Sequence, residues 1–404
     1  EDEIRRRLVN RVDETLRTVA RRLRSRFGDA SPPAPVKRKA KSSVAANEGI
    51  DRPIIVVGCA RSGTTLLQSM IHAHPRLAMP PENRFMMPLY NQRIDFGDLR
   101  EPANVEEFGD ALVAKGTKIK DMGLSRSKVR NRLWRTPPTI GSFLGSVLVA
   151  YAELHGKARW GDKRPNYIQA LPAVLELFPD AQIVHIIRDG RDSAASLLTM
   201  PWWNRGFGEA VYKWRDAVEA GNDAKADFAA DSYHEFRYED LVADPQATLT
   251  GLCEFLGEEF HPDMLEPHRV AGLTPDYKVW HEGLQKPVNE GAVQRFQRDL
   301  SADQIALFEL VAGDQLRQHG YPIVADGAEP GREVADEWAE AERRMRKRDK
   351  RRKQRDAEVS AAYDHPVAAI LTSGQRERAA AAGWLADYEQ PVGKPRASSS
   401  DSSP

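Results

Sequence analysis

Cysteine is nearly missing from this 404-residue sequence: Cys59 and Cys253 are the only two. Two thiols cannot build a disulfide framework, so a reducing compartment is expected. Net charge is missing as well. Lys and Arg total 59, Asp and Glu total 59, and this balance excludes a uniformly basic nucleic-acid-binding coat. No apolar run approaches the ~20 residues that a membrane-spanning helix needs; the longest mostly apolar stretch is Ser142 to Ala152. No His/Cys cluster has metal-ligand spacing, so no metal is expected. No signal-peptide pattern stands at the start. These absences point to a cytoplasmic protein with no nucleic-acid partner.

The charge that is present is segregated. Residues 1–50 hold 13 basic and 7 acidic side chains, and residues 343–355 hold 10 basic and one acidic. In the first of these regions Ile4, Leu8, Val12, Leu16, Val19, Leu23 and Phe27 recur at steps of three or four, which predicts an amphipathic helix over 4–27 with arginines on its other faces. Such a helix can lie on an anionic membrane surface, pack on the main domain, or pack on a second copy in a homo-oligomer. A Pro- and Lys-rich linker follows to residue 50. The expected organisation is a basic helix and linker over 1–50, a globular domain over 51–325, and a charged helical or disordered tail over 326–404 with little apolar stripe.

Within 51–325, short β-branched runs alternate with helical patterns. Ile54–Val57 and Gln182–Ile187 read as buried strands, Glu235–Tyr238 as a third. Thr64–His74, a segment from about Ser193, Thr248–Leu256, and a capping box at Ser301 with Gln304 read as helices. This alternation predicts an α/β fold with a central parallel sheet flanked by helices.

The most informative stretch runs from Ile54 to Leu67: strand, Gly58-Cys59-Ala60-Arg61-Ser62-Gly63-Thr64-Thr65, helix. Successive backbone N–H groups in such a loop wrap an anion, and the helix N-terminus adds its positive dipole end. Gly58 and Gly63 have the spacing of the nucleotide-triphosphatase loop, but Thr64 stands where that loop carries Lys, and the cation is Arg61 inside the loop. A second element, Gln182 to Ser196, is a strand ending in Arg188, a turn and a helix that carries Ser196. A guanidinium and a hydroxyl at the C-terminal end of a parallel strand can hold one phosphate.

The first loop resembles the 5′-phosphosulfate loop of sulfotransferases, P-[KR]-S-G-T-T, with Ala60 in place of Pro. Arg rather than Lys in that loop is found in the tyrosylprotein sulfotransferases and many bacterial relatives. The resemblance implies that Arg61, Ser62, Gly63, Thr64 and Thr65 bind the 5′ side of 3′-phosphoadenosine 5′-phosphosulfate (PAPS), and that Arg188 and Ser196 hold its 3′-phosphate. Phe236-Arg237-Tyr238-Glu239-Asp240-Leu241 is similar to the family's R-Y-E-D-L. Lys286-Pro287-Val288-Asn289 and then Gln294-Arg295-Phe296 resemble a C-terminal nucleotide loop, in which Arg295 would contact the nucleotide. The resemblance covers about residues 52–323.

For the reaction, the resemblance implies Lys163 as a cation at the leaving group, 25 residues before Arg188. It also implies Glu82, 21 residues after Arg61, as the base, with Arg84 alongside. Cytosolic sulfotransferases use a His beside the lysine, but here Lys163 is followed by Arg164 and Pro165. His72 and His74 are the alternative bases. Trp202 and Trp203 are candidate acceptor contacts, or core. The expected reaction is in-line transfer of a sulfuryl group from PAPS, which leaves as adenosine 3′,5′-bisphosphate, to an acceptor hydroxyl on a carbohydrate, glycolipid, small molecule or protein tyrosine. Two alternatives stay open: a degenerate P-loop kinase or NTPase, opposed by Thr64 and the Arg188/Ser196 pair, and a non-catalytic nucleotide- or membrane-surface-binding protein, opposed by the joint presence of Glu82 and Lys163.

Overall fold

Five strands run parallel in the order β2-β3-β1-β4-β5 in the computed structural model, which describes residues 52–269, 291–370, 380, 383 and 385–395. They are β1 (Ile54–Gly58), β2 (Leu77–Ala78), β3 (Arg159–Lys163), β4 (Gln182–Ile187) and β5 (Tyr233–Arg237). The first and second predicted strands appear in place; the third begins two residues earlier than the sequence suggests, at Tyr233. In register, β1 sits between β3 and β4, with Val56 opposite both Lys163 and Val184. The C-terminal ends of these three central strands therefore lie together: Arg61 follows β1, Arg188 follows β4 and Lys163 ends β3, while Glu82 follows β2, the neighbour of β3. The segments read as a basic helix, as its linker and as Lys286–Asn289 lie outside the described residues.

The principal helices are α1 (Thr64–Ala73), α2 (Ile140–Leu154), α3 (Gly190–Leu198), α4 (Phe207–Asp227), α5 (Pro245–Leu256), α6 (Ala302–Gln318) and α7 (Arg332–Ala362). Alternate residues of the sheet feed two cores. Ile55, Val57, Ile183 and Ile187 join Phe143, Trp214 and Phe308 from α2, α4 and α6. Ile54, Val56, Val184 and Ile186 join Leu67 and Ile71 from α1 and Leu249 and Leu252 from α5. Burial on both faces is why these strands read as unbroken apolar runs rather than as alternating ones; each such side chain contributes about 1.5–3 kcal/mol. The capping box is formed: Gln304 N donates to Ser301 Oγ at 3.2 Å and Ser301 N to Gln304 Oε1 at 2.9 Å.

The segment after residue 326 differs from its reading as a tail apart from the domain. Its helix, α7, is 31 residues long and packs along α4. Val334, Trp338, Ala341 and Met345 make a sparse stripe at steps of four, three and four, with Ala341 and Met345 buried. Carboxylates on α4 and α7 complete the contact: Arg344 pairs with buried Glu209 at 3.0 Å, and Tyr212 donates to Asp349 at 2.9 Å. Beyond the helix, Val367 O accepts from Gly141 N at 2.8 Å, and Thr139 donates to Ala368 O at 2.8 Å. The stripe is only one residue wide, so a run dominated by charge hides it.

Candidate active site

The loop between β1 and α1 is shaped by backbone that only certain residues accept. Gly63 has φ +87°, and a Cβ there would stand 2.4 Å from the ring of Tyr238; a Cβ at Gly58 would stand 2.5 Å from Ile186 O. Arg61 is left-handed too, with φ +72°, a conformation that costs an ordinary residue about 1–2 kcal/mol. Arg188 holds it there, its Nη1 donating to Arg61 O at 3.0 Å.

Three guanidiniums gather at this loop. Arg188 follows β4, donates from Nη2 to Ala292 O, and lies 4.7 Å above the Tyr238 ring. Arg61 donates from Nε to Ser196 Oγ at 3.0 Å. Burial, and then the charges of Arg188 and Arg295, pull the Arg61 pKa down to about 10. Arg61 therefore bridges the two halves of the candidate site, where the sequence suggested that it serves only the first loop. Arg188 and Ser196 meet through it rather than directly. Ser62 and Ser193 hydroxyls lie 3.3 Å apart at the seam, both buried. Arg188 Nε is buried with no hydrogen-bond partner among the described residues, an uncommon state for a buried donor.

The residues that place these cations were less visible in sequence. Asp192 lies one turn after Arg188, at 3.6 Å from it. Its two oxygens instead accept from Gln294 N and Phe296 N, each at 2.9 Å. This carboxylate therefore clips the segment that carries Arg295, whose guanidinium pairs with Asp299 at 2.6 Å. Burial pushes the Asp192 carboxyl up, against the pull of Arg188 and the two N–H groups. Asp189 caps α3 by accepting from Arg191 N and also pairs with the Arg191 guanidinium at 2.6 Å. Glu239 accepts from Asp189 N at 3.0 Å and from Tyr321 at 2.9 Å. The signal available in sequence for Asp192 was its spacing of four from Arg188, which reads equally as a local ion pair.

The other half of the site joins the loop after β2 to the end of β3. Lys163 Nζ lies 3.0 Å from Glu82 Oε2 and 3.3 Å from Thr65 Oγ1. One residue along each chain, Asn83 Nδ2 donates to Asp162 Oδ1 at 2.8 Å, and Tyr167 donates to Asp162 Oδ2 at 2.8 Å. Arg164 adds a bond to Asn83 O at 3.0 Å. Two consecutive side-chain contacts thus hold the Glu82 loop to β3. Arg84, next in that loop, is exposed, and its amide donates to Thr117 O at 3.1 Å.

The two histidines are committed elsewhere. His72 Nδ1 accepts from Met79 N at 2.9 Å, and burial followed by the Lys157 charge drives its pKa down to about 3. His74 accepts from Arg76 N and donates from Nε2 to Glu259 O at 3.0 Å. Both brace the end of α1. Trp203 packs against the larger core, with the Lys213 ammonium 5.8 Å from its ring, whereas Trp202 is 47% exposed. Among the described residues no group of three or more His, Cys, Asp or Glu is placed to hold a metal, and no helix is long and apolar enough to cross a membrane.

The chain is similar to known proteins. Protein-tyrosine sulfotransferase A of Caenorhabditis elegans is 24% identical over 291 residues, covering 69% of this chain and 70% of that protein. Human protein-tyrosine sulfotransferase 1 is 23% identical, covering 68% of this chain and 71% of that one. Among solved structures, the sulfotransferase domain of the Synechococcus PCC 7002 olefin synthase aligns with a TM-score of 0.46 at 22% identity, over 66% of this chain and 96% of that one. The model of the sulfotransferase family matches residues 53–262, a span that opens one residue before β1 and takes in both halves of the site. By that match the chain belongs to the sulfotransferase family.

Proposed function

We propose that this chain transfers a sulfuryl group from PAPS to an acceptor hydroxyl, and that the crevice at the C-terminal ends of β1, β3 and β4 is where it does so. The observation that carries this reading is the gathering of Arg188 and Arg295 near Arg61, which itself holds Ser196, with one Arg188 donor left unpartnered. Three clustered guanidiniums suit a ligand with two separate phosphate-type groups. The 5′-phosphosulfate suits the glycine-shaped loop, and the 3′-phosphate suits Arg188 and Ser196. ATP lacks the second group.

The chemistry follows from charge. An acceptor hydroxyl must lose a proton as its oxygen attacks sulfur, and the leaving phosphate oxygen gains negative charge. Glu82 is the proton acceptor in this reading, and Lys163 the cation at the leaving oxygen. Their 3.0 Å pairing weakens the base while the lysine stays on it. Moving the ammonium toward the phosphate loop, where Thr65 already accepts from it, frees Glu82 and stabilises the leaving group in one displacement. No metal is required when side chains supply this charge. The names of the relatives make a tyrosine phenol the first acceptor to try.

Calorimetry tests the donor site. Adenosine 3′,5′-bisphosphate should bind about tenfold or more tightly than AMP, the value of one charge-assisted phosphate pair. Arg188→Ala should erase that preference while AMP binding changes little. Equal affinities in the parent protein would overturn the reading.

A further inference from the structure

The run of ten basic residues over 343–355 plays no part in the site described above. It lies on α7, and all ten side chains are exposed. They are not equivalent. A groove of about 440 Å³ opens between α7 and the short helix Met86–Asn91, lined by Arg348, Arg351, Arg352 and Arg355 together with Asn91 and Gln92. The three lysines of the run, Lys347, Lys350 and Lys353, do not line it. The cations turned to the groove are thus all arginines, the side chain whose planar fork bonds two oxygens of one phosphate or sulfate at once; lysine offers a point charge.

The groove is also short of compensation. Arg348 and Arg352 stand 3.9 and 3.7 Å from Asp349, and Arg348 is 3.8 Å from Glu209. Arg351 and Arg355 make no ion pair among the described residues. Asp356 is the one carboxylate lining the groove. Four like charges facing one small volume repel one another, and a multiply charged anion relieves that repulsion. Asn91 and Gln92 add side-chain amides that can donate to the same oxygens. The volume falls within the range of small-ligand sites, and a groove admits a single ring-sized molecule where a flat charged face would not.

We propose that this groove is a second anion site, separate from the sulfuryl-transfer crevice, for a ring-sized molecule carrying two or more phosphate or sulfate groups. The soluble molecule and the headgroup of a lipid share that chemistry.

The test uses the full chain with adenosine 3′,5′-bisphosphate at saturation, so that the phosphate loop does not compete. Inositol trisphosphate is the soluble probe, read by calorimetry. Vesicles with the same phosphorylated headgroup are the lipid probe, read by flotation. Arg351→Ala/Arg355→Ala should weaken trisphosphate binding at least tenfold. Lys350→Ala/Lys353→Ala removes the same charge from outside the groove and should stay within threefold of the parent. Thermal melts of both variants establish that each is folded. Arg351→Lys/Arg355→Lys keeps the charge and loses the forks, so it should also bind several-fold more weakly. Vesicle binding that disappears in the Arg351→Ala/Arg355→Ala protein supports the groove with a lipid source; trisphosphate binding without vesicle binding supports it with a soluble one. The proposal is overturned by no trisphosphate binding in the parent, equal weakening in the arginine and lysine pairs, unchanged affinity in the Lys-for-Arg protein, or vesicle binding that survives loss of both arginines.

Discussion

Lys163 and Glu82 form an ion pair whose two ends differ in solvent access: at 3.0 Å separation, the lysine side chain is 2% exposed and the glutamate 35%. The buried cation is anchored on β3, and the carboxylate keeps access to solvent. That asymmetry suits a base that must meet an incoming hydroxyl and a cation that must not leave the site.

Glu82→Gln should therefore slow sulfuryl transfer by about 10²–10⁴-fold, the range for losing a general base, with nucleotide affinity retained. Gln keeps the reach to Lys163. Lys163→Ala should slow turnover as well, through lost leaving-group stabilisation. A more acidic acceptor hydroxyl separates the two, rescuing Glu82→Gln in part and Lys163→Ala not at all. Steady-state rates on phenols of graded acidity provide the measurement. A Glu82→Gln rate within threefold of the parent would remove Glu82 from the role.

Asp192 holds the segment of Gln294 and Phe296 by two backbone bonds, with Arg295 between them. Asp192→Asn leaves only one good acceptor for two N–H donors, so one of them goes unpaired, at about 1–3 kcal/mol. The expected result is weaker binding of adenosine 3′,5′-bisphosphate by about tenfold, accompanied by faster hydrogen exchange at 294–296. Unchanged exchange there would show that the clip is not what holds the segment.

Asp162 gives a pH signature. Burial raises its carboxyl from 3.8 to about 6, against the pull of Tyr167 and neighbouring cations. The folded state then binds more protons than the unfolded state between about pH 4 and pH 6. Stability accordingly falls as pH rises through that window, by up to about 3 kcal/mol for a shift of this size. Asp162→Asn removes this contribution while its Oδ1 still accepts from Asn83. Urea unfolding of both proteins from pH 4 to pH 7 should show the variant gaining on the parent as pH rises; a parent that gains on the variant would contradict the assignment.

Met345 tests the docking of α7. Its side chain is 2% exposed on the stripe that faces α4, and truncating a buried Met costs about 2–5 kcal/mol. Met345→Ala should lower the unfolding midpoint of the whole domain in one transition. A separate early transition, with the domain midpoint unchanged, would mean that α7 melts independently.

Much of the candidate site was legible because it is local. A phosphate loop is a continuous strand, turn and helix start, so Gly58, Arg61, Gly63, Thr64 and Thr65 carry their geometry in their order along the chain. Arg188 and Ser196 do so as well, eight residues apart on the next strand and helix. The parallel sheet was readable for the same reason: β1 and β4 are buried on both faces, and the burial shows as unbroken apolar runs.

What the tertiary structure decided lies between segments far apart in sequence. The pairing of Glu82 with Lys163, and of Asn83 with Asp162, requires β2 to sit beside β3, an order that no local pattern encodes. The same holds for Arg61 reaching Ser196, for Asp192 clipping the segment of Arg295, and for the two histidines of α1 being taken up by backbone groups around it. The docking of α7 rests on four apolar residues among a crowd of charges, and a stripe that narrow becomes visible only once α4 supplies the surface it fits. Chain order specifies the chemistry carried within one turn of backbone; which strands become neighbours is settled by burial summed over the whole sheet.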